Sequence, residues 1–294
     1  MGLPSRAHLE TVACGEHGSQ AEGRDEPRRF PRFRTVLCPV DFSEQSLAAL
    51  STAAALAQDP AARLVVCHVA GHGSKHQSFD RLQHFVHGAL PSTVMHGDRI
   101  TIHVRRGRPA PAILDAVVDM QADLVVTSTR GRTGLSKVLL GSVASALLSK
   151  CSVPVMVVPP AGTEIWSLTS LGSTPHVGLV VAATDLTDAS SRMLAWASRV
   201  SSASNEPLLV MHVVPEGTND GPVRARLEEC VKRLHTSRGA RPILRHGGVV
   251  EALAELSGGA AEVGLVVMGR NGKAPGAFAY ELLRQGRSVV AMVP

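Results

Sequence analysis

The chain states one pattern twice. RTVLCPVDFSEQSLAALSTAAALAQ, beginning at residue 34, returns as HVGLVVAATDLTDASSRMLAWASRV, beginning at residue 176. ARLVVCHVA returns as EPLLVMHVV, and GRPAPAILDAV as GGVVEALAEL. ADLVVTSTRGR returns as EVGLVVMGRNGK, and CSVPVMVVP as RSVVAMVP. A repeat of roughly 120 residues is a whole domain copied, so whatever fold one copy takes must be built twice. Each copy is long enough to bury a core of its own.

Within each copy, short apolar runs alternate with segments whose apolar residues recur at helical spacing. The first copy reads as strands at about 34–40, 63–69 and 99–105, a fourth in ADLVVTSTRGR and a fifth in CSVPVMVVP. Helices fall in SEQSLAALSTAAALAQ, at about 78–90, in RPAPAILDAVVDMQ and in GSVASALLSK. The prolines of RPAPAILD suit a first helical turn. Alternation of this kind predicts an α/β fold, a parallel sheet covered by helices on both faces.

Residues 1–31 have no apolar periodicity and are expected to form a disordered tail, with Arg28, Arg29, Arg32 and Arg34 as a solvated lead-in to the first strand. The first domain is expected at 32–160 and the second at 176–294, joined by a linker at 161–175 rich in Gly, Ser and Thr.

With 44% apolar and 19% charged residues the chain is globular rather than disordered. Aromatics make up 3%, too few for a single-strand nucleic-acid binder that stacks bases. No apolar run reaches the roughly 18–20 residues of a membrane span, and the N-terminus lacks the apolar core of a secretory signal. The five cysteines form no CxxC or zinc spacing, which fits a reducing cytoplasm. The net charge of +5 is spread among acids, so no polyanion partner follows from it.

In an open parallel sheet, ligands bind beyond the carboxyl ends of the strands, where strand order reverses. Three segments of the first copy should meet there: Pro39, Val40 and Asp41 after the first strand, His68 and Val69 after the second, and the loop from Thr127 to Ser142 after the fourth. Asp41 can accept a hydrogen bond from an adenine amine or a ribose hydroxyl. Val69 offers backbone groups and an apolar wall. The loop can wrap phosphates in main-chain N–H groups. Gly141 and Ser142 open a helix whose amino end favours an anion, and Arg130, Arg132 and Lys137 add positive charge. Asp41 has a second reading, as the N-cap of a capping box closed by Glu44, and Asp185 repeats its position in the second copy.

These residues resemble the universal stress protein family. CPVDFSEQS, the His-Val after the second strand, and RGRTGLSKVLLGSVA followed by SVPVMVV carry the resemblance, over about 33–160 and more loosely over 175–294. It implies two tandem α/β/α sandwiches, each a five-stranded parallel sheet in the order 3-2-1-4-5, of the adenine-nucleotide alpha-hydrolase-like kind. The ATP-binding branch of the family carries G-x2-G-x9-G-[ST]. Here the motif reads S-x2-G-x9-G-S, through Ser128, Gly131, Gly141 and Ser142. Serine keeps the main-chain N–H and is strained only where φ must be positive. By resemblance, Asp41 and Val69 lie on the adenine side, and Ser128, Gly131, Gly141, Ser142 and Val143 on the phosphate side. Pro39, Val40, Thr127 and Arg130 complete the expected binding set.

The second copy keeps Gly269 and Gly272, but leucines stand where Gly-Ser should follow. Gly131 to Ser152 spans 21 residues, whereas Gly272 to the aligned Arg287 spans 15, so six residues are missing from the loop and following helix. The expectation is ATP, with or without Mg2+, in the first domain only, in a cytoplasmic nucleotide-dependent stress-response sensor or adaptor. No catalytic or metal-ligating set stands out, and slow ATP hydrolysis is the most enzymatic activity expected. His72/His76 and His84/His87 have helical spacing but no third ligand, and read as polar surface. A P-loop, a strand-linked GxGxxG, a nucleophile elbow and the acidic pair of a receiver domain are all missing. The alternative is a nucleotide-free interaction module that kept the sandwich and lost the ligand. The expected partners are an adenine nucleotide and an unknown protein, with neither nucleic acid nor membrane. The fifth strands, at 153–158 and 289–293, are strongly apolar sheet edges and therefore an aggregation hazard. Pairing them with each other, in an intramolecular pseudo-dimer, removes it; two chains could associate further as a homodimer.

Overall fold

Strands that are apolar at every position need cover on both faces. The first half supplies β1 (Thr35–Pro39), α1 (Glu44–Leu56), β2 (Arg63–Ala70), α2 (Lys75–Ala89), β3 (Ile100–Arg106), α3 (Pro109–Asp119), β4 (Leu124–Ser128), α4 (Ser142–Lys150) and β5 (Val155–Val158). The second supplies β6 (Leu179–Ala183), α5 (Ser190–Ser204), β7 (Leu208–Val214), α6 (Asp220–Lys232), β8 (Ala240–His246), α7 (Val249–Ser257), β9 (Val263–Gly269), α8 (Ala277–Gln285) and β10 (Val289–Val293). The computed structural model describes residues 33–71, 74–91, 99–129, 140–159, 178–257, 263–270, 277–285 and 288–294. The expected tail, the expected linker, Arg130 and Gly131 lie outside the described residues.

β1, β4, β5 and β10 are buried at every position. One hydrophobic cluster lies under α1, α2, α5 and α6, and a second under α3, α4, α7 and α8. The strands form a single ten-stranded sheet ordered β3-β2-β1-β4-β5-β10-β9-β6-β7-β8. Read from either outer edge inward, each half follows the order 3-2-1-4-5, with parallel pairing throughout. The two halves meet where β5 and β10 pair antiparallel, with Val155 facing Met292, Met156 facing Ala291 and Val157 facing Val290. All six residues are buried. Phe33 also reaches across, its ring centroid 6.3 Å from that of Trp196 on α5.

The outer strands, β3 and β8, differ in composition from the inner ones. β3 ends in Arg105-Arg106, and β8 carries Arg241, Pro242 and Arg245, with Pro242 exposed. Charged side chains and a proline on an outer strand discourage a foreign strand from adding to the edge.

The first helix corrects one expectation. Ser43, not Asp41, is the N-cap of α1: its hydroxyl accepts from the Ser46 N–H at 3.2 Å. Asp41 acts one step earlier, its Oδ1 accepting from the Ser43 N–H at 3.1 Å and the Ser43 hydroxyl at 2.6 Å. The turn is possible because Phe42 adopts φ 65°. That left-handed conformation costs roughly 1–2 kcal/mol in a non-glycine residue. Non-local packing offsets the cost: the Phe42 ring lies 4.3 Å from His68, 5.4 Å from Phe85 and 4.2 Å beneath the Arg81 guanidinium carbon. The second half repeats the turn, with Leu186 at φ 60° and the Asp185 Oδ1 accepting from the Thr187 N–H and the hydroxyls of Thr187 and Ser190.

The missing six residues of the second half are also placed more narrowly. α4 and α8 are both nine residues long. Thirteen residues separate β4 from α4 and seven separate β9 from α8, so the whole deficit lies in the loop and none in the helix.

Candidate functional site

The carboxyl ends of β1, β2 and β4 and the amino ends of α3 and α4 enclose a cavity of about 290 Å³. Small-molecule sites run from roughly 300 Å³ upward, so this volume suits a compact ligand or the buried part of a larger one. Every expected site residue among the described ones lines it. Pro39, Val40 and Asp41 come from the end of β1, Val69 from β2, Thr127 and Ser128 from β4, and Gly141, Ser142 and Val143 from the start of α4. Strand order reverses at this point, because β1 has β2 on one side and β4 on the other.

Val40, Val69, Ile113 and Val143 make part of the lining apolar. The start of α4 suits an anion. α4 has no side-chain cap, and its N-cap is Gly141. The first backbone bond returning to the helix runs from the Ser145 N–H to the Gly141 carbonyl, which leaves the N–H groups of 142–144 without intrahelical partners. The N–H of Gly141 itself is committed to the Thr129 carbonyl at 2.8 Å. Gly141 therefore shapes the end of the cavity rather than donating into it, which differs from the sequence expectation that its amide joins the cradle.

Ser128, where the family motif has glycine, is the last residue of β4 and pairs with Val158. It is not among the positive-φ residues, so serine is accommodated there without strain. Beside it, Thr129 lines the cavity and is 4% exposed, and among the described residues its hydroxyl has no hydrogen-bond partner. A buried hydroxyl without a partner costs about 1–3 kcal/mol, and a ligand acceptor would relieve that cost.

Sequence reasoning passed over Thr129, whose signal was a polar residue directly after a buried strand. It also passed over Pro109 and Ile113 of α3, which reach the cavity because α3 starts at the same sheet end. His68 lines the cavity too, with its Nδ1 bonded to the Val40 carbonyl at 2.9 Å. His212 makes the same bond to the Thr184 carbonyl at 2.7 Å. A clasp present in both halves holds the first strand's end against the second. Arg105, near the end of β3, donates to Asp119 and to the His103 Nε2 at 3.0 Å. Among the described residues, no three His, Cys, Asp or Glu side chains converge as metal ligands.

Cys67 also lines the cavity. Burial pushes its pKa up to about 11, partly opposed by the positive charge of Arg105. The group is thus a neutral thiol at neutral pH, and burial makes its reactive thiolate about 100-fold scarcer than at the ordinary value of 9.0. Iodoacetamide at pH 7.5 should leave Cys67 unmodified in the native protein and label it rapidly in urea, as read by peptide mass spectrometry. Rapid native labelling would mean that the cavity wall opens.

Among the described residues, no helix is long and apolar enough to cross a membrane. The family model for the universal stress protein family matches residues 32–159. Universal stress protein G of Escherichia coli O157:H7 is 32% identical over 143 residues, covering 43% of this chain and 99% of the relative. A universal stress protein encoded in the QAH/OAS sulfhydrylase 3'region of Thermus aquaticus is 28% identical over 139 residues, 43% of this chain and 98% of its own length. Across both halves, the crystal structure of a universal stress protein from Archaeoglobus fulgidus superposes with a TM-score of 0.65 at 20% identity, covering 89% of this chain and 98% of that one, a likeness of fold. With a cavity at the switch point of a 3-2-1-4-5 sheet and a relative matched over nearly its full length, the chain belongs to the universal stress protein family.

Proposed function

We propose that the chain is a cytoplasmic stress-response sensor or adaptor that binds ATP in the cavity of its first half. The observation that carries this reading is the anion end of that cavity, where the uncapped amino end of α4 lies against the partnerless Thr129 hydroxyl. The apolar side chains of the lining suit a purine, which needs little more than shape and one or two polar contacts. Asp41, held by Ser43, would accept from the adenine amine or a ribose hydroxyl, and the N–H groups of 142–144 would take a phosphate. Mg2+, if present, would arrive on the phosphates, with its ligands drawn mainly from them and from water. Arg130 and Gly131 complete the proposed set. Among the described residues no three His, Cys, Asp or Glu side chains converge as metal ligands at the cavity, and the role proposed is binding, with at most slow hydrolysis. Ligand binding would order the surface around α4, and that surface would recruit a protein partner.

Denaturing the purified chain and measuring released nucleotide tests occupancy. The expected yield is about one adenine nucleotide per chain when the protein is saturated, and its melting temperature should rise with ATP concentration. Thr129→Val, which keeps the shape and removes the hydroxyl, should weaken ATP about tenfold by titration calorimetry while leaving the melting temperature of the free protein unchanged or higher. A melting temperature that stays flat across millimolar ATP would favour a nucleotide-free interaction module instead.

A further inference from the structure

Arg270 stands in the second half where Thr129 stands in the first. Each follows the strand that precedes the loop, and each donates its backbone N–H to the end of the neighbouring fifth strand, Thr129 to the Val158 carbonyl at 3.2 Å and Arg270 to the Val293 carbonyl at 2.8 Å. Their side chains go separate ways. The Thr129 hydroxyl is buried without a partner at the cavity. The Arg270 side chain leaves its own half, and its Nη1 donates to the Cys151 carbonyl at 2.7 Å.

Cys151 is the C-cap of α4. Its carbonyl lies at the negative end of the helix, among the acceptors that a helix terminus leaves unpaired. The antiparallel seam explains how a residue of the second half arrives there. With Met292 facing Val155, the carboxyl ends of β9 and β10 lie beside the amino end of β5, just after α4 finishes.

α4 is nine residues long, about two and a half turns. A helix this short is marginal alone and takes its order from tertiary partners. It has two kinds: the buried Ala144, Leu147 and Leu148 along one side, and the Arg270 guanidinium at its carboxyl end. Fraying that starts at Cys151 has only this short span to cross before it reaches the amino end at the cavity.

We infer that Arg270 is a positioning residue for the first half's site: it caps the carboxyl end of α4 from the second half and thereby keeps the amino end of that helix set against the ligand. The second half, with its shortened loop, contributes to binding by buttressing the helix that does the binding. This deepens the proposed function and rests on it.

The test uses the full chain and two readouts. In Arg270→Ala, the amides of 146–151 in the ligand-free protein should exchange with deuterium at least fivefold faster than in the unsubstituted chain, after normalisation to the amides of α7. The ATP dissociation constant should rise about fivefold at a temperature where both proteins are fully folded. Arg270→Lys, which keeps a cationic donor for the terminal carbonyl, should restore most of both effects. Unchanged α4 exchange in Arg270→Ala would overturn the inference. So would a lowered melting temperature with unchanged exchange and affinity, which would make Arg270 a tie between the halves and nothing more. If the unsubstituted chain bound no nucleotide, the functional reading would fall, while the exchange measurement, made without ligand, would still decide the role of Arg270.

Discussion

Gly141→Val should abolish ATP binding while leaving the protein folded. Gly141 has φ −61° and ψ 151°, a conformation open to any residue, so valine introduces no backbone strain there. Its N–H bond to the Thr129 carbonyl involves only main chain and survives the substitution. What changes is the space in front of the N–H groups of 142–144, because Gly141 lines the cavity and a branched side chain would occupy the volume an anion needs. Valine is also a poorer N-cap than glycine, which adds a stability cost of about 1 kcal/mol. The expected result is an affinity loss of at least about 100-fold, or about 2.8 kcal/mol, with a fall of only a few degrees in melting temperature. Titration calorimetry with ATP and a melting curve without it measure the two separately. Affinity equal to that of the unsubstituted chain would show that the α4 terminus is not the anion site.

The second large effect concerns the seam. Met156 is fully buried on β5 and faces Ala291 of β10, so truncating it opens a cavity where the halves join. Met156→Ala should cost about 2–5 kcal/mol. Its more telling consequence lies in the other half. Trp196 sits on α5 and packs against Phe33, so its fluorescence reports the second half from a position in contact with the first. In a Trp166→Phe background, which leaves Trp196 as the sole indole, urea unfolding of the unsubstituted protein should be a single transition coincident with circular dichroism. Met156→Ala should move the Trp196 transition by the full amount, because an uninterrupted sheet lets neither half unfold without stripping the other's edge. A Trp196 transition that stays in place while the circular dichroism splits would mean that the halves unfold independently.

The boundaries of β1, β2 and β3 differ from those read in the sequence by a residue at each end at most. A strand covered on both faces must be apolar along its whole length, and that requirement is visible in a few consecutive letters. The apolar character of β5 and β10 likewise signalled that neither is an outer edge, and they lie side by side at the centre of the sheet. α2 was harder: it spans Lys75–Ala89 rather than 78–90, since only Leu82 and Val86 of it are buried and its start depends on Ser74 accepting from the His76 N–H.

The candidate site divides along the same line. Its location could be read in the sequence, because a strand end, a glycine loop and a helix start succeed one another along the chain. What each residue does there could not. Asp41 with Glu44 three residues on has the spacing of a capping box, yet Ser43 takes the cap because Phe42 turns left-handed under the packing of His68, Phe85 and Arg81, residues from β2 and α2. The partnerless Thr129 hydroxyl and the Arg270 bond to Cys151, 119 residues away, are likewise invisible to any pattern of period 2 or 3.6. Local periodicity determines which elements form, since that energy is set by neighbours in the chain. Caps, orphaned donors and contacts across the seam depend on which groups meet in space, and only the assembled sheet brings those groups together.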